Sequence, residues 1–330
     1  MIYTLIVITT LLLLWPTKKT KSIFKQKPSI KKFTQGKASI IWPNPNSTEV
    51  AGAGCGVAIN KTGDVVYLQR VGHSFFNDTI IPEPVVFVID VQTQKVKTKW
   101  GANQFKAPHS ITIDNQDNVW ISDTTLNKVF KFDSNGTLLM SFGKDYSLIK
   151  QLNRSITLHR PKLAKIRNRL NIFNYFNLPF LNNPYYFAMP TGIVVSDNGD
   201  FTVADGYINS RVAKFDAKGK LIWQVRKLGI DKQSFHLPHG IAQDNQGQLY
   251  IADRANARIQ VFSKEGDWVA SWDDVALGRP FSVQVGPDQL LYVVDGGDIL
   301  HGQKNDLRSQ VIVMSLTGEI IKRWGVWGAR

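Results

Sequence analysis

The sequence predicts an all-β fold, a β-propeller of four-stranded blades. Three observations carry this. A unit of about 40 residues recurs along the chain, which is the period of propeller blades. Within each unit, short apolar or alternating runs are separated by Gly-, Asn- and Asp-rich turns, as strands joined by tight hairpins are. An aspartate also recurs in one register, at the end of the second strand of four copies: Asp123, Asp205, Asp253 and Asp295.

The clearest copy spans residues 238–272. Residues 240–242 open it as an apolar strand, and 244–247 (Asp-Asn-Gln-Gly) turn the chain. Residues 249–253 form the second strand, 258–262 alternate as a third, and 268–272 close the unit after a second turn. Further copies open at Pro108, Pro190 and Pro280, and a looser one runs over residues 56–100. About five blades are therefore readable.

The remaining segments are placed around these copies. Residues 1–17 contain a nearly unbroken apolar run from Ile2 to Trp15, read as either a signal peptide or a membrane anchor. The run is short for a membrane-spanning helix. No Lys or Arg precedes it and no small-x-small cleavage site follows it. Residues 18–37 form a basic linker, and residues 38–330 form the propeller. Ser39, Ile40, Ile41 and Trp42 read as a strand suited to closing a ring of blades. A basic and aromatic insertion interrupts the repeats at about 144–189, with a short basic helix expected over 163–170. The last repeat ends near residue 327, so a final blade is expected to be lacking.

The chain of 330 residues carries a formal charge of +14, with a 43% hydrophobic content that allows a sizeable core. The excess charge clusters in the linker and the insertion, outside the repeats. That placement, with no nucleic-acid motif beside it, argues against nucleic-acid binding. It leaves a solvated tail or attraction to an anionic membrane surface through residues 2–15 and the lysines after them. The single cysteine, Cys55, excludes a disulfide within the chain and reads as a small buried residue.

Two copies begin Pro-His, at His109 and His239. Inner strands line a propeller's axis, so equivalent positions converge there. Two imidazoles at such positions can be satisfied core histidines, or they can ligate one metal such as zinc. Tyr207 and Arg254 follow the registered aspartates, and Arg70 ends the second strand of the looser copy. All three are expected at one rim. Together they would make a cationic pocket with a phenol and a metal, suited to a carboxylate-bearing substrate.

With these residues in place the sequence resembles the peptidyl-α-hydroxyglycine α-amidating lyase family, also called peptidylamidoglycolate lyase, a six-bladed NHL-type β-propeller. The segments that carry the resemblance are GVAINKTGDVVYLQRVGH, APHSITIDNQDNVWISD, MPTGIVVSDNGDFTVADGYINSRVAKFD, FHLPHGIAQDNQGQLYIADRANARIQVF and SLTGEII. The resemblance implies cleavage of a peptidyl α-hydroxyglycine to a peptide amide and glyoxylate. It implies His109 and His239 as zinc ligands and Tyr207 as the base on the substrate hydroxyl, its phenol acidified by nearby cations. Arg70 and Arg254 would hold the substrate carboxylate, and backbone carbonyls of Val57 and Ile111 would bind a structural calcium.

Two features depart from the family pattern. Its third zinc histidine and adjacent calcium-binding aspartate come from a Pro-His-Asp in the last blade. No such motif occurs here, and Pro280-Phe281-Ser282 opens the fifth copy. His301 would replace that ligand only by folding its loop into the channel. The disulfides of animal members are also absent, with Ile208 and Val261 at two of those positions.

The resemblance favours export (periplasmic, secreted or membrane-anchored), although the lysines after residue 15 favour a cytoplasmic C-terminal side. A monomer acting on a small peptide-derived substrate is expected, with activity impaired if the last blade is lacking. Two alternatives stand beside it: a non-catalytic NHL propeller serving as a binding scaffold, and a metal-dependent hydrolase of the lactonase type.

Overall fold

The computed structural model describes residues 51–75, 77–144, 183–274, 277–296 and 308–327, all within one compact unit, Phe33–Arg330. The apolar run, the basic linker, the strand expected at 39–42, His301 and nearly all of the insertion, with its expected helix, lie outside these residues. Among the described residues no helix is long and apolar enough to cross a membrane.

Twenty strands form five four-stranded antiparallel sheets, so five blades are present among the described residues. Blade I holds β1 (Gly54–Ile59), β2 (Val65–Gln69), β3 (Val86–Asp90) and β4 (Lys95–Trp100). Blade II holds β5 (Pro108–Ile113), β6 (Val119–Asp123), β7 (Lys128–Phe132) and β8 (Leu138–Phe142). Blade III holds β9 (Gly192–Val195), β10 (Phe201–Asp205), β11 (Arg211–Phe215) and β12 (Leu221–Arg226). Blade IV holds β13 (Pro238–Gln243), β14 (Leu249–Asp253), β15 (Arg258–Phe262) and β16 (Trp268–Trp272). Blade V holds β17 (Pro280–Val285), β18 (Leu291–Asp295), β19 (Arg308–Met314) and β20 (Ile320–Trp327).

The turns form as their residues dictate. Asp244 caps the β13–β14 hairpin by accepting the amides of Gln246 and Gln248, and Gly247 takes the positive φ (87°) that the turn requires. Inner strands β1, β5, β9, β13 and β17 neighbour one another in that order. Glycine permits their close approach. A Cβ on Gly240 would meet the β17 backbone at Ser282 (2.7 Å), and one on Gly192 would meet the His239 carbonyl (2.9 Å).

The core lies between blades. Tyr250, Ala252 and Ile259 of blade IV pack on Val283, Val293 and Ile312 of blade V. Trp120 and Val129 of blade II pack on Phe201, Ala213 and Phe215 of blade III. Strands β6, β10 and β14 are buried along their whole length, because a neighbouring blade covers each face. In β2 and β18 burial alternates instead: Val66 and Leu68 are buried where Val65 and Tyr67 are not, and Val294 is 40% exposed.

The registered aspartates hold the blades' upper loops. Asp123 accepts the amides of Lys106, Ala107, Thr125 and Leu126. Asp205 and Asp253 also pair with Arg211 (2.7 Å, both side chains fully buried) and Arg258 (2.9 Å). Arg211 further donates to the carbonyls of Pro184 and Tyr186, which ties the segment before β9 to blade III. In blade I, Gln69 stands where the others have aspartate, and its Oε1 accepts the Gly52 amide.

Candidate active site

The axial end of the inner strands repeats one irregularity. Pro108 pairs with Asp123 and Ser110 with Ser122, which leaves His109 as an extra residue in β5. Phe281 is extra in β17 in the same way, and Cys55 in β1. In β13 the shift falls between Pro238 and Ile241, at His239 and Gly240. A bulge releases its side chain from the pleat and re-aims it, a device common beside active sites. Cys55, His109, Thr191, His239 and Phe281 thus occupy equivalent positions in successive blades.

Two of the bulges couple a blade to the next. His109 Nδ1 lies 3.0 Å from the Thr191 carbonyl, and His239 Nδ1 lies 2.7 Å from the Phe281 carbonyl. A carbonyl only accepts, so Nδ1 carries the proton in both rings. Burial lowers the His109 pKa to about 4, and Arg70 and Arg254 push the same way. Burial also takes His239 well below the ordinary value, with His109 and Arg254 adding to it. Both imidazoles are therefore neutral at pH 7, with their Nε2 lone pairs unprotonated.

Those lone pairs converge on one atom. Tyr207 Oη lies 3.2 Å from His109 Nε2 and 3.0 Å from His239 Nε2, and the imidazole centroids are 4.9 Å apart. The phenol has one proton for two acceptors. It satisfies one contact, and the other sets lone pair against lone pair. An electropositive guest shared by the two Nε2 atoms would relieve that opposition.

The structure brings Tyr207, Arg70 and Arg254 together with the two histidines. Tyr207 sits just after β10 and is buried. Arg70 follows β2 and reaches the Pro108 carbonyl through Nη1 (3.4 Å), while its Nε is buried without a hydrogen-bond partner. Arg254 opens a 3-10 turn (Arg254–Asn256) beyond β14, with its guanidinium 3.6 Å from the centroid of Phe281. Val57 and Ile111 lie on adjacent inner strands, the Val57 side chain 63% exposed. Cys55 is half-buried, not fully enclosed as expected. Burial pushes its thiol up to about 12, which leaves it no nucleophile.

Sequence reasoning missed three residues. Phe75, from the loop between β2 and β3, lies 5.0 Å from Tyr207 and 5.6 Å from His109, centroid to centroid, and roofs both rings. Thr191 and Phe281 act through their carbonyls, which no residue type announces. The one available signal was positional, since both follow proline in the place His109 and His239 hold in their copies.

The donor set fits two of the three protein positions that catalytic zinc sites use. Among the described residues no group of three or more His, Cys, Asp or Glu is gathered. For calcium, which takes six to eight oxygens, two strand carbonyls alone fall short.

Fold and site together define an NHL-type β-propeller with a buried polar cluster at its axis. The NHL repeat matches residues 187–215 and 235–262, across blades III and IV. The resemblance drawn from the motifs extends over most of the chain. It is 29% identical over 299 residues to peptidyl-alpha-hydroxyglycine alpha-amidating lyase 1 of Drosophila melanogaster, covering 83% of this chain and 49% of that protein. It is 32% identical over 247 residues to lyase 2 of the same organism, covering 71% and 52%. The chain thus spans about half the length of these relatives. A virginiamycin B lyase from Staphylococcus aureus shares the fold, with a TM-score of 0.52 at 16% identity, covering 85% of this chain and 72% of that one.

Proposed function

We propose that the chain is a lyase that cleaves a peptidyl α-hydroxyglycine into a peptide amide and glyoxylate, with zinc held by His109 and His239. The names of the relatives support the reaction class. The observation that carries the metal is the proton count at Tyr207, one phenolic hydrogen between two unprotonated Nε2 atoms.

Each residue then has a task. Arg70 and Arg254 hold the substrate carboxylate, Arg70 with a buried Nε still to satisfy. Tyr207, once it has given up its own phenolic proton, removes the proton of the α-hydroxyl. The O–H electron pair becomes the carbonyl π bond of glyoxylate, and the C–N pair leaves with the amide nitrogen. That nitrogen regains a proton from Tyr207, so the base is restored. Thr191 and Phe281 keep the histidine lone pairs on the axis. Phe75 excludes water from the rings it covers. Zinc, when bound, supplies Lewis-acid polarisation of a substrate oxygen. A calcium on the Val57 and Ile111 carbonyls would be structural and needs further oxygens; no step runs through it.

Export and a small peptide-derived substrate belong to the same reading. The test is metal analysis of the purified chain together with glyoxylate release from a peptidyl α-hydroxyglycine. About one zinc per chain, with turnover lowered about 10²- to 10⁴-fold by Tyr207→Phe, is expected. A protein without zinc that releases no glyoxylate would overturn the proposal.

A further inference from the structure

The blade V bulge carries an aromatic ring in the place where blades II and IV carry imidazoles. The Phe281 ring centroid lies 3.6 Å from the Arg254 guanidinium carbon and 5.2 Å from the His239 ring. Its own carbonyl accepts His239 Nδ1–H. One residue therefore touches both the cationic and the imidazole parts of the pocket, the first through its side chain and the second through its backbone.

The surroundings are built to hold that ring. Gly296 follows Asp295, and a Cβ there would run into Cδ2 and Cε2 of Phe281. Gly296 has an ordinary backbone conformation, so what it provides is room. Arg279, two residues before Phe281 and just ahead of β17, donates from Nε to the Arg254 carbonyl (3.3 Å) and so steadies the 3-10 turn. Blade V thus grips a residue of blade IV at both main chain and side chain.

We infer that Phe281 is a positioning residue, a shelf that fixes the plane of Arg254 so that its N–H edge meets a small carboxylate in the axial pocket. A guanidinium stacked on an aromatic face has that face withdrawn from water, and its donors lie in its own plane. Carboxylates are planar and are recognised edge to edge by such a fork. Without the shelf the guanidinium loses one constraint on its plane, and the carboxylate must supply that part of the ordering on binding. The inference rests on the proposed use of Arg254 as a carboxylate holder, but it concerns a different residue and has its own readout.

The test uses the full chain, with glyoxylate as the probe and calorimetry as the measure. Phe281→Leu removes the π face and keeps the carbonyl, so zinc content should match the wild type. Glyoxylate affinity should fall about 5- to 30-fold, the range of a partly to fully desolvated cation–π contact. Phe281→Tyr should restore it. Gly296→Ala, whose Cβ would crowd Cδ2 and Cε2 of the ring, should weaken binding with residue 281 unchanged, and so guards against a folding artefact of the first variant.

Unchanged glyoxylate affinity in Phe281→Leu overturns the inference. So does loss of zinc in parallel with affinity, which would show Phe281 acting through His239. A wild type that binds no glyoxylate overturns it as well. A wild type that binds glyoxylate, responds to Phe281→Leu and is rescued by Phe281→Tyr, but does not turn over the hydroxyglycine, sinks the lyase reading and leaves the shelf standing. Turnover with no response to either variant does the reverse.

Discussion

Acid should loosen this fold through its axial histidines. An unfolded His109 binds its proton near 6.5, whereas the folded protein resists protonation until about 4. Between these values the unfolded state holds more protons, so stability rises with pH across the window and falls as acid is added. The loss begins below about 6.5 and is complete at about 4. At about 1.4 kcal/mol for each tenfold change in proton activity, the window amounts to about 3 kcal/mol from His109 alone. That is a sizeable share of a typical domain's net stability. The assay is urea unfolding at pH 7, 6, 5 and 4, in chelator, on the wild type and His109→Gln. Every carboxylate is common to both proteins, so the difference between their pH profiles reports His109 together with its effect on His239. The wild type should lose about 3 kcal/mol more than the variant between pH 7 and 4. Parallel profiles would refute the reasoning, since they would mean that the imidazole takes up its proton in the folded protein as readily as in the unfolded chain.

Three further outcomes are expected. Arg211→Met leaves Asp205 charged and fully buried, and should cost about 3–5 kcal/mol in urea unfolding, as breaking a buried pair does; a cost below about 1 kcal/mol would mean that the carboxylate finds other partners. Cys55, its thiol pushed up to about 12, should resist a thiolate-selective reagent at pH 8 in the folded protein and react once denatured; fast labelling of the native chain would contradict this. Gly206→Ala places a Cβ against the Pro238 carbonyl, where Tyr207 is delivered to the axis, and should destabilise by about 1–3 kcal/mol through overpacking; a neutral variant would show that the two blades can part there.

The blades were legible because each strand and turn is written locally. Residues 249–253 and 258–262 read from the sequence as the strands they form, since alternation and turn chemistry need no distant information. The meeting of His109, His239 and Tyr207 was legible for a different reason. A repeat turns equal positions in sequence into neighbours in space, so two Pro-His openings imply two rings on one axis. The bulge behind that meeting was not legible, because one extra residue in β5 or β17 changes neither composition nor period enough to register. Nor were the orienting partners, which are main-chain oxygens. The Asp205–Arg211 and Asp253–Arg258 pairs left a faint trace, an arginine five or six residues beyond each aspartate, which carries no meaning until the loop between them is seen to fold back.

The succession of bulges has a consequence for how such a pocket changes over time. At His109 and His239 the atom that steers the side chain lies in the backbone of the following blade, outside the control of the side chain it steers. Of the five berths (positions 55, 109, 191, 239 and 281), 191 and 281 steer through their own carbonyls, so a substitution at either refits one berth and leaves the steering of His109 or His239 in place. Imidazole, hydroxyl, thiol and phenyl already occupy these berths side by side, so the scaffold can exchange chemistries one blade at a time without being rebuilt.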